Sequence, residues 1–304
     1  MRDPMSALTD TRTWIHCPAC DRDQAAPSLR KQGFEIARCR HCGVRYVNPR
    51  PTPDALAAMY REGYFTPQAT GHHHLRHDDM KLATARLRLQ FLQEFRATGR
   101  LLDVGSGGGI FVRAAREAGW SAIGLEPSFD AAAHAAREPR LPIVTGRLEQ
   151  PPLAGHRFDA ITMFDVLEHV FAPGAFLAEA RTLLAPQGLL LIETPNMAGW
   201  LPRLMGLRHP WVRPPEHLTY FTPSSLRLLL ERTGFRVLRL LPRAPKALSL
   251  DYVLGLTGST NPLLTALAKQ TLGRWRALSR HCFRVPLEVL LTVATVEQAG
   301  ASTR

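Results

Sequence analysis

The 304-residue chain is 45% hydrophobic and 21% charged, a balance that excludes a disordered or fibrous chain and allows a substantial buried core. Its formal net charge is +12. That excess fits an anionic partner (nucleic acid, a phosphate-bearing substrate, an acidic membrane surface), or arginines scattered over the surface, since no run of five basic residues occurs. Five cysteines, four of them in two Cys-x-x-Cys pairs with Cys282 alone, argue for metal in a reducing compartment rather than a disulfide framework. The segment Met1-Arg2-Asp3-Pro4-Met5 opens no signal-peptide-like apolar core, and no run is long enough to span a bilayer, so the expected location is cytoplasmic.

Cys17-Pro18-Ala19-Cys20 and Cys39-Arg40-His41-Cys42-Gly43 enclose a hairpin-sized segment. This spacing predicts a structural zinc ribbon with Cys17, Cys20, Cys39 and Cys42 as four thiolate ligands, and Gly43 suits the knuckle turn. Asn48-Pro49-Arg50-Pro51-Thr52-Pro53 is a breaker-rich joint. Leu56, Met59 and Tyr60 then predict a short helix capped by Asp54. The run His72-His73-His74 with His77 reads as a solvated loop or a metal-binding turn. Residues 79–97 carry apolar side chains at helical spacing.

The rhythm then changes. Leu101–Val104, Ala122–Leu125, Pro142–Val144, Phe158–Phe164 and Gly188–Glu193 read as strands, with helices after the glycines of 105–109, after Ser128 and over 174–184. Such alternation predicts an α/β fold with a doubly wound, mostly parallel sheet. Residues 195–222 form a connection too long to be structureless unless functional or partly helical. Ser224–Thr233 reads as a helix closed by Gly234, Phe235–Leu241 as a strand, and Val289–Val296 as a last strand. Between them lies a basic amphipathic stretch, Leu263–Val289, which could touch an anionic membrane surface or pack on the sheet.

The central motif is Asp103-Val104-Gly105-Ser106-Gly107-Gly108-Gly109, between a strand and a helix. Glycines let the backbone double back and let a ligand lie against it near a helix N-terminus. Glu126, at the end of the next strand, can accept hydrogen bonds from both ribose hydroxyls. The dinucleotide fingerprint fails, because its last glycine position is Ile110. With Phe158-Asp159, Phe164-Asp165-Val166-Leu167-Glu168-His169-Val170 and Leu183-Leu184-Ala185-Pro186-Gln187-Gly188-Leu189, the segment 55–241 resembles class I S-adenosylmethionine-dependent methyltransferases. The N-terminal part, with Tyr46–Pro51 and Tyr60-x-x-x-Tyr64-Phe65, resembles that of a bacterial subgroup of small-molecule-type methyltransferases.

The resemblance implies a seven-stranded Rossmann-like sheet with one antiparallel strand at the edge. It implies a cofactor, S-adenosylmethionine, over the ends of the first, second and fourth strands. Gly105 and Gly107 would line its methionine part, Asp103 its ammonium, Glu126 the ribose, and the Leu148 backbone or Glu149 the adenine. Phe164 and Asp165 complete the cofactor set. The expected organisation is a ribbon over 1–50, a helical lead-in or lid over 51–98, a cofactor-binding core over 99–241 and an extension over 242–304. His217, beside Glu216 in the long connection, and His169 are the candidates for a catalytic base; both could equally be packed histidines.

No Pro-Pro-aromatic motif follows the fourth strand, as in DNA amino-methylating enzymes. No cysteine lies between Cys42 and Cys282, as pyrimidine C5 methylation requires. The expected reaction is therefore methyl transfer to a small-molecule or lipid- or sugar-linked acceptor, at a hydroxyl. The alternatives are an RNA methyltransferase gripping phosphates with a basic ribbon, or a non-catalytic cofactor-binding protein. Oligomeric state has no sequence signal.

Overall fold

The computed structural model describes residues 11–61, 78–129, 131–132, 141–153, 155–249 and 282–297. The His72–His77 run and all but the end of the Leu263–Val289 stretch lie outside the described residues. The cysteine region opens the chain with β1 (Arg12–Thr13), β2 (Ala25–Lys31), β3 (Phe34–Cys39), β4 (Arg45–Val47) and β5 (Arg50–Pro51). The β2–β3 turn puts Gln32 and Gly33 at positive φ. Two helices follow, α1 (Pro53–Arg61) and α2 (Asp78–Gln93). The α1 cap differs from expectation. The Thr52 hydroxyl accepts from the Ala55 N–H, and Asp54 sits inside the first turn. There its charge still favours the helix N-terminus.

The core then runs β6 (Arg100–Val104), α3 (Ile110–Glu117), β7 (Ser121–Glu126), β8 (Ile143–Thr145), β9 (Phe158–Phe164), a 3-10 turn (Leu167–His169), α4 (Pro173–Leu183) and β10 (Leu184–Pro195). The long connection contains α5 (Trp200–Met205), a second 3-10 turn (Gly206–Arg208) and β11 (Thr219–Tyr220). After it come α6 (Pro223–Arg232), β12 (Phe235–Leu241), β13 (Pro245–Ser249), β14 (Cys282–Pro286) and β15 (Val289–Val296). Helix α6 starts at a capping box, in which Thr222 and Ser225 satisfy each other's backbone N–H.

Seven strands form one sheet in the order β12-β15-β10-β9-β6-β7-β8. β6 to β10 are mutually parallel, and β15 is antiparallel to both β10 and β12. The antiparallel strand is thus second from the edge and not at it. Its sequence explains the place: Val289 to Thr295 are all buried, as an edge strand would not be. One sheet face packs on α2 and α3 through Leu89, Leu92, Phe111 and Val112; the other packs on α4 and α6 through Phe176, Leu177, Leu226 and Leu229. No helix among the described residues is long and apolar enough to cross a membrane.

The cysteine region makes a second sheet, β11-β4-β3-β2, whose last strand comes from the long connection after β10. Arg50 fixes this junction. Fully buried, it donates to the carbonyls of Val47, Phe171 (2.6 Å) and Leu218 (3.2 Å). Burial lowers its pKa to about 9.

Candidate functional site

Crossing from β6 to α3, the chain turns on Gly105, Gly107 and Gly109, all at positive φ. Gly105 N–H donates to the Leu125 carbonyl at 2.8 Å, which holds the turn against β7. A Cβ on Gly105 would lie 2.6 Å from Val166 Cγ2, so the turn also presses on the segment after β9. Around Gly107 and Gly108, by contrast, nothing among the described residues lies within 4 Å of a Cβ position. The loop therefore presents bare backbone to open space at the C-terminal ends of β6, β7 and β9. Ser106 Oγ is buried there, with no hydrogen-bond partner among the described residues.

Two acids flank the loop. Asp103 is buried and accepts from the Thr162 hydroxyl at 2.7 Å; burial raises its pKa to about 7. Glu126 accepts from Gly107 N–H at 2.7 Å and Ser128 N–H at 2.9 Å, one on each oxygen. Burial pushes its pKa up as well. A carboxylate has about four acceptor positions, so each oxygen can still take one hydroxyl. Leu148 is buried with its side chain in the core, which leaves only its backbone for a ligand. Phe164 packs edge to face on Phe111, centroids 4.6 Å apart.

Asp165 follows β9 at φ 53°, and its carboxylate pairs with Lys246 at 3.3 Å, which holds its pKa down. Lys246 also pairs with Glu193 at 2.6 Å, and Glu193 pairs with the buried Arg88. These four charges sum to zero along one string at the ends of β9 and β10. Only Asp165 of them was expected at the site. Signals existed for two others. Glu193 is an acid ending the apolar run 189–192, and Arg88 shares the buried stripe of α2 with Ala85, Leu89 and Leu92.

His169 and His217 come together, although 48 positions separate them in the sequence. Their rings meet edge to face at 4.7 Å. With Glu168 they place ligand-type atoms within 4.8 Å of one another. Glu168 is buried, accepts from the Thr194 hydroxyl at 2.9 Å, and its pKa is raised to about 8 by burial and by Asp165. Burial lowers His169 to about 4 and His217 to about 3. The acid facing His217 is therefore not its neighbour Glu216, which turns away to pair with Arg213 at 2.6 Å. The Leu218 N–H donates to the Glu168 carbonyl at 2.8 Å, which locks the two segments together.

The four ribbon cysteines also converge. Cys17 and Cys42 sulfurs are 3.4 Å apart, Cys20 and Cys39 sulfurs 3.6 Å, and all four lie within 4.8 Å. Two matching turns present them. Cys17 N–H donates to Arg22 and Asp21 N–H to Cys17; Cys39 N–H donates to Val44 and Gly43 N–H to Cys39. Asp21 takes the same left-handed conformation as Gly43 (φ 63° and 75°), a role its residue type concealed. The contact with the Cys17 thiol lowers the Cys42 pKa to about 5, and backbone N–H groups act in the same direction on the sulfurs, Val44 on Cys42 and Ala19 and Cys20 on Cys17.

Comparison with known proteins agrees with this geometry. A family model described as a methyltransferase domain matches residues 73–240. The chain belongs to that family. Its core has the class I S-adenosylmethionine-dependent methyltransferase fold. Over 144 residues it is 33% identical to a probable S-adenosylmethionine-dependent methyltransferase of Mycolicibacterium smegmatis, covering 47% of this chain and 54% of that one. A ubiquinone biosynthesis O-methyltransferase of Azorhizobium caulinodans is 28% identical over 158 residues, covering 45% and 59%. The chain thus spans a little over half the length of these relatives. Among solved structures, the Burkholderia thailandensis 1,6-didemethyltoxoflavin-N1-methyltransferase, with its substrate and S-adenosylhomocysteine bound, covers 90% of this chain and 100% of its own. Its TM-score is 0.54 at 18% identity, a likeness of fold.

Proposed function

We propose that this methyltransferase-family protein transfers a methyl group from S-adenosylmethionine to a hydroxyl of a small-molecule acceptor. The observation that carries the reading is the His169–His217 pair, set beside a glycine turn that offers open backbone and two buried acids. When bound, S-adenosylmethionine supplies a methyl group already activated as a sulfonium. The chain's own residues then have three tasks. Asp103 faces the ammonium end and Glu126 the ribose, with Gly105 and Gly107 admitting the ligand to the backbone. The Leu148 backbone and Phe164 border the adenine side. Asp165, anchored by Lys246, and the 165–169 segment close the reacting end and limit water. The relatives that methylate hydroxyls in ubiquinone synthesis support the acceptor class.

His217 and His169 stay neutral near neutral pH, so an imidazole nitrogen can accept the hydroxyl proton as the oxygen attacks. A base of depressed pKa is weak, and its effect belongs near the low end, about 10²-fold, of what positioned bases contribute. The ribbon thiolates form a closed tetrahedral donor set. Four sulfurs about 2.3 Å from one ion lie roughly 3.8 Å apart, close to the spacings found here, so one structural zinc ion fits Cys17, Cys20, Cys39 and Cys42. Methyl-labelled S-adenosylmethionine incubated with pools of phenols, sugars and RNA tests the acceptor. Label in a hydroxyl compound is expected, with turnover about 10²-fold lower in His217→Gln and unchanged S-adenosylhomocysteine affinity. Label in RNA alone would contradict the reading.

A further inference from the structure

A cleft of about 250 Å³ lies between the ribbon sheet and the connection that carries α5. Its lining combines the buried apolar residues Ile36 and Val212 with the exposed arginines Arg38, Arg45 and Arg203. Lys31 Nζ donates to the Leu207 carbonyl at 2.6 Å and ties the two walls together. The arginines are placed in an unusual way. Arg38 and Arg45 are direct partners across β3 and β4, and Arg45 in turn faces Tyr220 across β4 and β11. Like charges directly opposite on a sheet repel. Among the described residues, no acid pairs with Arg38, Arg45 or Arg203. Tyr220, which also lines the cleft, is 4% exposed, and among the described residues its hydroxyl has no hydrogen-bond partner.

We infer that this cleft binds the phosphoryl group of an anionic small molecule, the charged end of the methyl acceptor. Three guanidinium groups set three positive charges against the two negative charges of a phosphoryl dianion, and their planar forks match its oxygens. An anion between Arg38 and Arg45 turns a repulsive cross-strand pair into an attractive one. The apolar lining suits a carbon skeleton next to the phosphate. The location fits the chemistry: Tyr220 is three residues beyond His217, so a molecule anchored here is held from the segment that carries His217. The inference rests on the small-molecule acceptor reading above. It differs from a nucleic-acid surface in being a small cleft that buried apolar residues, Ile36 and Val212, also line.

The test is equilibrium dialysis of labelled pyrophosphate against the whole protein and an Arg38→Gln/Arg45→Gln double variant. Vesicles of phosphatidylglycerol and a single-stranded RNA are run in parallel. Pyrophosphate should bind the wild type and bind the double variant at least tenfold more weakly. The ligand-free variant should melt at the same or a higher temperature, because the cross-strand repulsion is gone. Vesicle binding lost in the same variant, together with pyrophosphate binding, identifies a lipid-borne phosphate; pyrophosphate binding without vesicles identifies a free phosphoester. Equal pyrophosphate affinity in both proteins overturns the inference, as does binding of vesicles or RNA without pyrophosphate. S-adenosylhomocysteine titrated into both proteins keeps the two readings apart. Its failure to bind the wild type counts against the methyltransferase reading, while loss of pyrophosphate binding alone concerns only the cleft.

Discussion

Asp103, next to last in β6, has its carboxylate on the Thr162 hydroxyl, and burial raises its pKa to about 7. A ligand ammonium beside it requires the ionised form. Cofactor affinity should therefore fall as pH drops through 7. Calorimetry of S-adenosylhomocysteine at pH 8 and pH 6 checks this. Asp103→Asn should lose roughly tenfold at pH 8, about what a charge-assisted hydrogen bond is worth, and show a flatter pH dependence. The histidines predict a different titration. Their pKa values, about 4 for His169 and about 3 for His217, lie below the ordinary value of about 6.5. The unfolded chain thus binds more protons between these limits. Their contribution to stability is full above pH 6.5 and is lost as pH falls toward 4. His217→Gln should accordingly lose less melting temperature than the wild type between pH 6.5 and pH 4. A parallel loss in both proteins would show that His217 is not the buried neutral ring described here. At this scale the glycine turn and Glu126 were legible because backbone needs restrict residue type. The acid facing His217 was not, since Glu216 adjoins it in sequence while Glu168 reaches it only through the fold.

The elements were legible where an apolar run meets a glycine, a proline or a charged residue. Phe158–Phe164, Phe235–Leu241 and Val289–Val296 begin and end as their sequences indicate. Strand β10 begins earlier than expected, at Leu184, because Leu184 pairs with Phe158 before a register shift; Pro186 and Gly188 hide that extension. Strand β11 has two residues and no periodicity to read, and exists because β4 offers a partner edge. The ribbon is an element whose stability depends on more than its own core. Its two knuckle turns depend on four sulfurs at 3.4–3.6 Å within pairs. Elemental analysis of protein purified without chelators should give one zinc per chain. Prolonged chelation should lower the melting temperature and expose four thiols to a thiol reagent. Protein free of zinc with all four thiols already reactive would contradict the assignment.

At the scale of the whole molecule, strand–helix alternation specified a parallel sheet, but not where the antiparallel strand would lie. That depended on burial along β15, which a local pattern states only once its neighbours are known. The ribbon sheet likewise closes with β11 from the far side of the core, and Arg50 spans the junction through carbonyls of Val47, Phe171 and Leu218. The consequence is that glycine turn, histidine pair and cysteine cluster belong to one packed body. The central claim, a cofactor held against bare backbone at the turn, depends on the space around Gly107. Calorimetric titration of S-adenosylhomocysteine into the wild type and into Gly107→Val tests it most directly. Valine there would project into the ligand's place from a left-handed backbone position, at a strain of about 1–2 kcal/mol. Saturable binding to the wild type, abolished in a Gly107→Val protein that still unfolds cooperatively, is the predicted result. Binding undiminished by Gly107→Val, or binding of NAD in its stead, would contradict the account.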